Sequence, residues 1–294
     1  MSAQAATKSE KVKVRGINLE VLRIAVPASA QAQPATSPTN SATPSPIVFL
    51  HEGLGSVALW RDFPKALCEA TGRAGLVYSR RGYGQSDPIA DVRGAGRVKP
   101  NYMHEEAQHV LPELLRIEGI TQPILLGHSD GGTIALLHAA RFNVEACIVM
   151  APHLFVEDIS VAAIAQARQA FESGELSARL AKHHADVDSA FWSWNDIWLS
   201  DAFRSFNIQT ECKRITCPLL AIQGHDDPYS TMAQIDSLGS VASEISREIG
   251  VLPLRILRRV LLKLERCGHS PHKDQTQIVL SSITQWLAKN APTP

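Results

Sequence analysis

Gly127-His128-Ser129-Asp130-Gly131 places one serine between two glycines, directly after the apolar run "PILL" and directly before the helical pattern "GGTIALLHAARF". The spacing is G-x-S-x-G between a strand and a helix. In that setting a serine takes a strained turn, and the glycines let strand and helix close around it. The pentapeptide also describes a plain glycine-rich turn, so the rest of the chain has to decide. A serine hydroxyl becomes a nucleophile only when an imidazole takes its proton and a carboxylate orients that imidazole. Chemistry at Ser129 therefore requires an acid and a histidine, following it in that order at the ends of later strands.

Both are present. The run "CPLLAIQG" ends in His225-Asp226-Asp227-Pro228, and "LLKLERCG" ends in His269-Ser270-Pro271-His272. Taken singly, an aspartate or histidine after a strand is commonly a turn former or a surface residue; all three in the required order point to acyl transfer. The transition state would then need N–H donors for its negative oxygen. One is expected from Asp130, the residue after the serine. The other is expected from the glycine loop His51-Glu52-Gly53-Leu54-Gly55-Ser56, which follows the strand-like "PIVFL".

The elements that must position these residues are legible as alternation. "KVKVRG" and "NLEVLRIAV" read as a hairpin opening a sheet. From "PIVFL" onward short apolar runs alternate with helical stretches, which predicts an α/β fold with a mostly parallel sheet covered on both faces. Pro112, inside "MHEEAQHVLPELLRIEG", is expected to kink that helix or mark its start. The expected organisation is a disordered tail over 1–10, then the first part of an α/β core over 11–152. A flexible Ala/Pro/Ser/Thr-rich loop over 27–45 interrupts that part. Residues 153–208 carry only helical patterns and read as an inserted helical cap, and the core resumes over 209–294.

Composition narrows the partners. Lys+Arg and Asp+Glu are equal at 29 each, so no net field favours nucleic acid or an anionic membrane, and a small-molecule substrate is expected. The chain could also self-associate as a homo-oligomer. The five cysteines are scattered and odd in number, which suits free thiols in a reducing compartment. "MSAQAATKSEKVKV" has no apolar h-region and no later segment is a long apolar run, so a soluble cytoplasmic protein is expected. No cofactor or metal is expected: "RGYGQS" and "RGAGRV" lack the dinucleotide-loop spacing. His183-His184 with Asp186 and Asp188 read as polar surface of the cap rather than as a metal cluster.

The quoted residues resemble the α/β-hydrolase family over about residues 46–290, in particular its capped branch of esterases, epoxide hydrolases and ring-cleavage-product hydrolases. "HEGLGSVALW" is similar to the family's His-Gly-x-x-Gly loop through His51, Gly55 and Trp60, and departs at Glu52, where the family usually has glycine. "YSRRGYGQSDP" is similar to its Arg-Gly-x-Gly-x-Ser turn through Arg81, Gly82, Gly84 and Ser86, to which the resemblance gives a structural role. The resemblance selects Asp227, three residues after Gly224, as the acid, and His269, after Gly268, as the base. It places the second oxyanion amide by position at Gly53. The departure on the carboxyl side is the long stretch between Asp227 and His269.

The expected activity is hydrolysis of a small, fairly apolar carboxylic ester or lactone. Ser129 attacks, His269 moves the proton, Asp227 holds the imidazole, and the Gly53 and Asp130 amides bind the oxyanion. Alternatives are C–C bond hydrolysis of a dicarbonyl aromatic ring-cleavage product, a ligand-sensing protein on the same fold, and, more weakly, cofactor-free perhydrolysis. A serine in place of aspartate disfavours epoxide-type chemistry through an alkyl ester. Trp192, Trp194 and Trp198, three of the five tryptophans, either pack the cap or line a substrate cleft. Glu52 and Asp130 are expected to put carboxylates near its entrance.

Overall fold

The computed structural model describes residues 8–26, 44–239 and 259–292. Most of the loop expected over 27–45, and residues 240–258 of the long connection between Asp227 and His269, lie outside the described residues. β1 (Glu10–Val14) begins at the last residue of the expected tail and pairs antiparallel with β2 (Ile17–Ile24). Arg15 and Gly16 join them with φ of 48° and 85°. Positive φ at both positions gives the turn the twist that a tight hairpin needs.

β2 pairs antiparallel with β4 (Gly75–Tyr78). β3 (Ile47–Leu50), β4, β5 (Ile124–His128), β6 (Ala146–Met150), β7 (Leu219–Gly224) and β8 (Arg259–Leu264) then run parallel. The sheet order is β1-β2-β4-β3-β5-β6-β7-β8. The central strands are unbroken apolar runs because both faces are covered. Val48 and Leu50 face α2 (Leu111–Ile117) and α3 (Asp130–Ala139), packing in one core with Leu111, Leu114, Ile134 and Leu136. Ile47 and Phe49 face the other way, toward Phe63 and Leu67 of α1 (Phe63–Thr71) and Ile283 and Trp286 of α7 (Thr276–Asn290). The period-two alternation of side chains thus divides a uniformly apolar strand between two cores.

Between β6 and β7 the chain is helical: α4 (Asp158–Glu172), α5 (Glu175–Leu180) and α6 (Val187–Trp198), with a single bridge from Phe155 to Asn207. Pro112 stands at the start of an α-helical segment, as one of the two expectations had it, but no break in the chain's winding precedes it. The preceding turns (Tyr102–Glu105, then Glu106–Val110 with wider π hydrogen bonding) continue directly into α2, with Pro112 in its first turn. Proline there lacks an N–H and crowds the preceding turn, and the wide turn absorbs both. Among the described residues, no helix is long and apolar enough to cross a membrane.

His138, near the end of α3, is 2% exposed and donates from Nδ1 to the Ala107 carbonyl at 2.8 Å in that wide turn. Burial lowers its pKa from 6.5 to about 4. The unfolded chain therefore binds a proton there before the folded one does, so stability falls as pH drops through that window, by on the order of 3 kcal/mol for this group. Thermal melts should show His138→Asn losing less stability than the parent between about pH 7 and about pH 4.5. An identical slope would assign the acid sensitivity to other buried histidines.

Candidate active site

β5 delivers Ser129 to the carboxyl edge of the sheet, and α3 starts at the next residue. Ser129 has φ 53° and ψ −119°, a conformation that costs a non-glycine residue of order 1–3 kcal/mol. It is held there from both sides: its N–H donates to the Met150 carbonyl at 2.9 Å, and its carbonyl accepts from Thr133 N at 3.0 Å. The neighbouring glycines are required by contact. A Cβ on Gly127 would run into the Gly131 carbonyl, and one on Gly131 into the Leu50 carbonyl. The expected strained turn is therefore what this segment forms.

β7 ends beside β8, Gly224 opposite Leu264, and the loops after them bring Asp227 to His269. Both carboxylate oxygens lie 2.9 Å from His269 Nδ1. Asp226 is exposed, its N–H spent on the Cys267 carbonyl. Asp227, and not Asp226, is thus the aspartate that the fold brings to His269. Asp227 also accepts from Tyr229 N at 2.8 Å, Ser230 Oγ at 3.0 Å and Gln223 Nε2 at 3.2 Å. Burial pushes its pKa up, but the His269 bond and charge and the Tyr229 N–H outweigh that and leave it below the ordinary aspartate value. Gln223 and Ser230 are site residues that sequence reasoning missed. The Tyr229 bond, two residues on, is an Asx turn that the short "DDPYS" could have signalled.

Three further histidines surround His269. His128, the variable residue of the serine motif, has Nε2 2.7 Å from the His269 carbonyl and Nδ1 3.4 Å from Glu52 Oε2. Donation from Nε2 anchors the backbone of His269, and Glu52, the departure in the glycine loop, lies beside the other ring nitrogen. His153 lies 5.8 Å from the His269 ring and 4.8 Å from Trp198, and burial, with the nearby His269 charge, lowers its pKa to about 3, so it is neutral. His272 is buried against Trp60 and Phe63. None of the three has a motif beyond being a histidine beside a glycine loop or strand end.

The glycine loop is itself locked. His51 Nδ1 donates to the Glu52 carbonyl at 2.7 Å and Nε2 accepts from Arg80 N at 3.0 Å, which sets the tautomer. Arg80 returns donors to the carbonyls of His51 (2.6 Å) and Glu52 (3.2 Å). Trp194 packs so closely on Gly53 that a Cβ there would strike its indole. On the serine side, the Asp130 amide opens α3 and belongs to a first turn with no intrahelical acceptor.

Ser129, His269, Gly53 and Glu52 line one cavity of about 610 Å³, roofed by Ile164, Ala167, Leu176, Leu180, Trp194 and Trp198. Trp194 and Trp198 are four residues apart on one face of α6, whereas Trp192 lies on another face and is placed elsewhere. It packs on Phe171 and Phe191, with the Arg93 guanidinium 3.9 Å from its ring centroid. Asp130 also departs from expectation. Its side chain is fully buried, accepting from Tyr102 Oη at 2.6 Å with Arg80 at 3.8 Å, and burial pushes its pKa up. Of Glu52 and Asp130, Glu52 is the one that lines the cavity, with Lys273 Nζ 3.4 Å from its Oε1. His184, expected on the surface, is 4% exposed; it accepts from Gly84 N at 2.9 Å and contacts the Leu54 carbonyl at 3.1 Å. It therefore ties the helical segment to the glycine loop.

Comparison with known proteins comes to the same architecture. The Alpha/beta hydrolase family matches residues 47–280. The Mus musculus sn-1-specific diacylglycerol lipase ABHD11 is 35% identical over 100 residues, 34% of this chain and only 29% of that protein's length. An esterase from Thermogutta terrifontis superposes with a TM-score of 0.64 at 16% identity, covering 97% of this chain and 99% of that one. The enol-lactonase from Burkholderia xenovorans gives 0.66 at 18%, covering 95% and 99%. The meta-cleavage product hydrolase from Pseudomonas fluorescens gives 0.63 at 14%, covering 95% and 97%. At these identities the structures share a fold.

Proposed function

We propose that this chain, which belongs to the alpha/beta hydrolase family, hydrolyses a small, fairly apolar carboxylic ester or lactone through an acyl-enzyme on Ser129. The observation that carries the reading is convergence. A serine held at φ 53° and an imidazole held at 2.9 Å by a buried carboxylate open onto one largely apolar cavity. In the first step Ser129 Oγ attacks the carbonyl carbon, and its proton passes to His269 Nε2. Asp227 keeps Nδ1–H facing it and stabilises the imidazolium. The oxyanion takes N–H donors from Gly53 and Asp130. Collapse breaks the acyl C–O bond, and the alcohol leaves with the proton from His269. Water then repeats the attack, with His269 again as base, and releases the acid.

The substrate class follows from the walls. Apolar side chains of α4, α5 and α6 cover the cavity, and each of its two carboxylates faces a cation, Glu52 facing Lys273 at 3.4 Å and Glu175 facing Arg179 at 3.7 Å. A neutral acyl group of moderate length loses least on entering such a space. One observation favours a second reading, C–C hydrolysis of a dicarbonyl acid. Arg179 is the one arginine among the described lining residues, and beyond its exposed contact with Glu175 it keeps N–H donors for a substrate carboxylate.

A panel of simple esters, lactones and a vinylogous dicarbonyl acid tests both. Sustained turnover of neutral esters or lactones is the expected result; turnover confined to the dicarbonyl acid would replace it with the second reading, and single turnover only would favour a sensor. The same panel separates the tryptophans. Trp194→Ala and Trp198→Ala should reorder kcat/KM across acetyl, hexanoyl and phenylacetyl esters by about 1–3 kcal/mol of discrimination. Trp192→Ala should lower melting temperature while leaving the order unchanged. Reordering by Trp192→Ala alone would mean that the wall has been assigned to the wrong face of α6.

A further inference from the structure

A second cavity of about 540 Å³ lies beside Tyr102 and shares no lining residue with the one over Ser129. Its polar interior is built from buried groups: Arg80, 4% exposed, and Tyr83, 5% exposed, whose Oη accepts from Ser193 Oγ at 3.1 Å. Arg81, Arg97 and Lys99 stand exposed around it, and among the described residues none of the three has a carboxylate partner within 4.0 Å. Its own two carboxylates are occupied. Glu106 accepts from Tyr78 Oη at 2.8 Å, and Glu105 accepts from Asn101 Nδ2 at 3.0 Å. Four cationic side chains, Arg80, Arg81, Arg97 and Lys99, stand against these two carboxylates, so the lining is net positive. The rest of its lining is apolar or aromatic, with Ile89, Val98 and Val110 beside the two tyrosine rings.

We propose that this cavity is a ligand site for a small organic anion with a flat apolar body, an aryl carboxylate. The planar guanidinium groups suit a carboxylate, and the tyrosine rings and branched aliphatic side chains suit an aromatic ring. Among the described residues no histidine or cysteine lines it, and the proposal is one of binding. Two side chains of its lining reach the reaction cavity: Arg80, which donates to the Glu52 carbonyl at 3.2 Å, and Tyr102. Tyr102 Oη donates to Asp130 Oδ2 at 2.6 Å and accepts from Trp198 Nε1 at 3.1 Å, and Trp198 is in the wall over Ser129. An acid pressed on Tyr102 thus bears on the residue that shapes the other cavity. The anion site is independent of what Ser129 cleaves.

Benzoate titrated into the full chain by calorimetry at low salt tests this, with benzyl alcohol as the uncharged probe of similar shape. Saturable benzoate binding, absent for benzyl alcohol, is expected. Arg97→Gln combined with Lys99→Gln should weaken it roughly tenfold or more. Both side chains are exposed, so the variant should fold, and an unchanged melting temperature checks that. Arg179→Gln, in the other cavity, should leave benzoate affinity where it was. Four results would overturn the site: no saturable heat, equal binding of benzyl alcohol, unchanged affinity in the double variant, or loss of binding in Arg179→Gln, which would seat the acid over Ser129.

Discussion

Ser129→Ala is expected to lower kcat toward any hydrolysed ester by on the order of 10³ or more, with KM little changed. The alanine keeps the cavity, the amides of Gly53 and Asp130 and the imidazole, and removes only the atom that forms the covalent bond. A serine-directed phosphonate should add its mass to the peptide carrying Ser129 in the parent and nowhere in the variant. The backbone supplies a second readout. At φ 53° and ψ −119° alanine is as strained as serine, whereas glycine is not. Ser129→Gly should therefore be as inactive as Ser129→Ala yet melt higher, by about 1 kcal/mol of stability. Labelling of another residue, or full turnover in the alanine variant, would remove Ser129 from the chemistry.

Asp227→Asn is expected to lose several orders of magnitude in kcat, and Asp226→Asn little. The adjacent acids differ because the turn after β7 points only one of them inward. Asp227, 5% exposed, faces His269 Nδ1 at 2.9 Å, while Asp226 is exposed. The amide of an asparagine can present its NH₂ to Nδ1 and hold the wrong tautomer, and it leaves no charge to support the imidazolium. The loss should therefore appear in kcat far more than in KM. Asp227→Asn should also cost stability, since Ser230, Gln223 and the Tyr229 N–H would lose a charged acceptor. That part is lost from the parent itself as pH falls through the depressed Asp227 pKa. The opposite ranking of the two variants would show that the acid had been taken one residue out of register.

Much of this was legible in one dimension because it is written in local spacing. The hairpin from Glu10, the parallel strands and the serine turn follow from side-chain period, apolar run length and glycine position, each a property of neighbouring residues. The order serine, acid, histidine is legible for the same reason: a parallel sheet brings successive strand ends to one edge, so order along the chain becomes proximity there. What resisted reading was which way a side chain points once two elements meet. Trp192, Trp194 and Trp198 are alike in sequence, but helical rotation sends the first toward Phe171 and the other two over Ser129.

The sequence by itself determined the α/β architecture, the strained serine turn and the strand ends at which Asp227 and His269 meet. Only the tertiary structure decided that His128 anchors the His269 carbonyl, that His153 stands beside the His269 ring, that Asp130 turns inward to Tyr102, and that His184 is a buried tie. These contacts join residues up to 141 positions apart. Their energy comes from burial and hydrogen-bond geometry that no local pattern encodes, because a polar group's role is set by the partner it meets after the chain has folded.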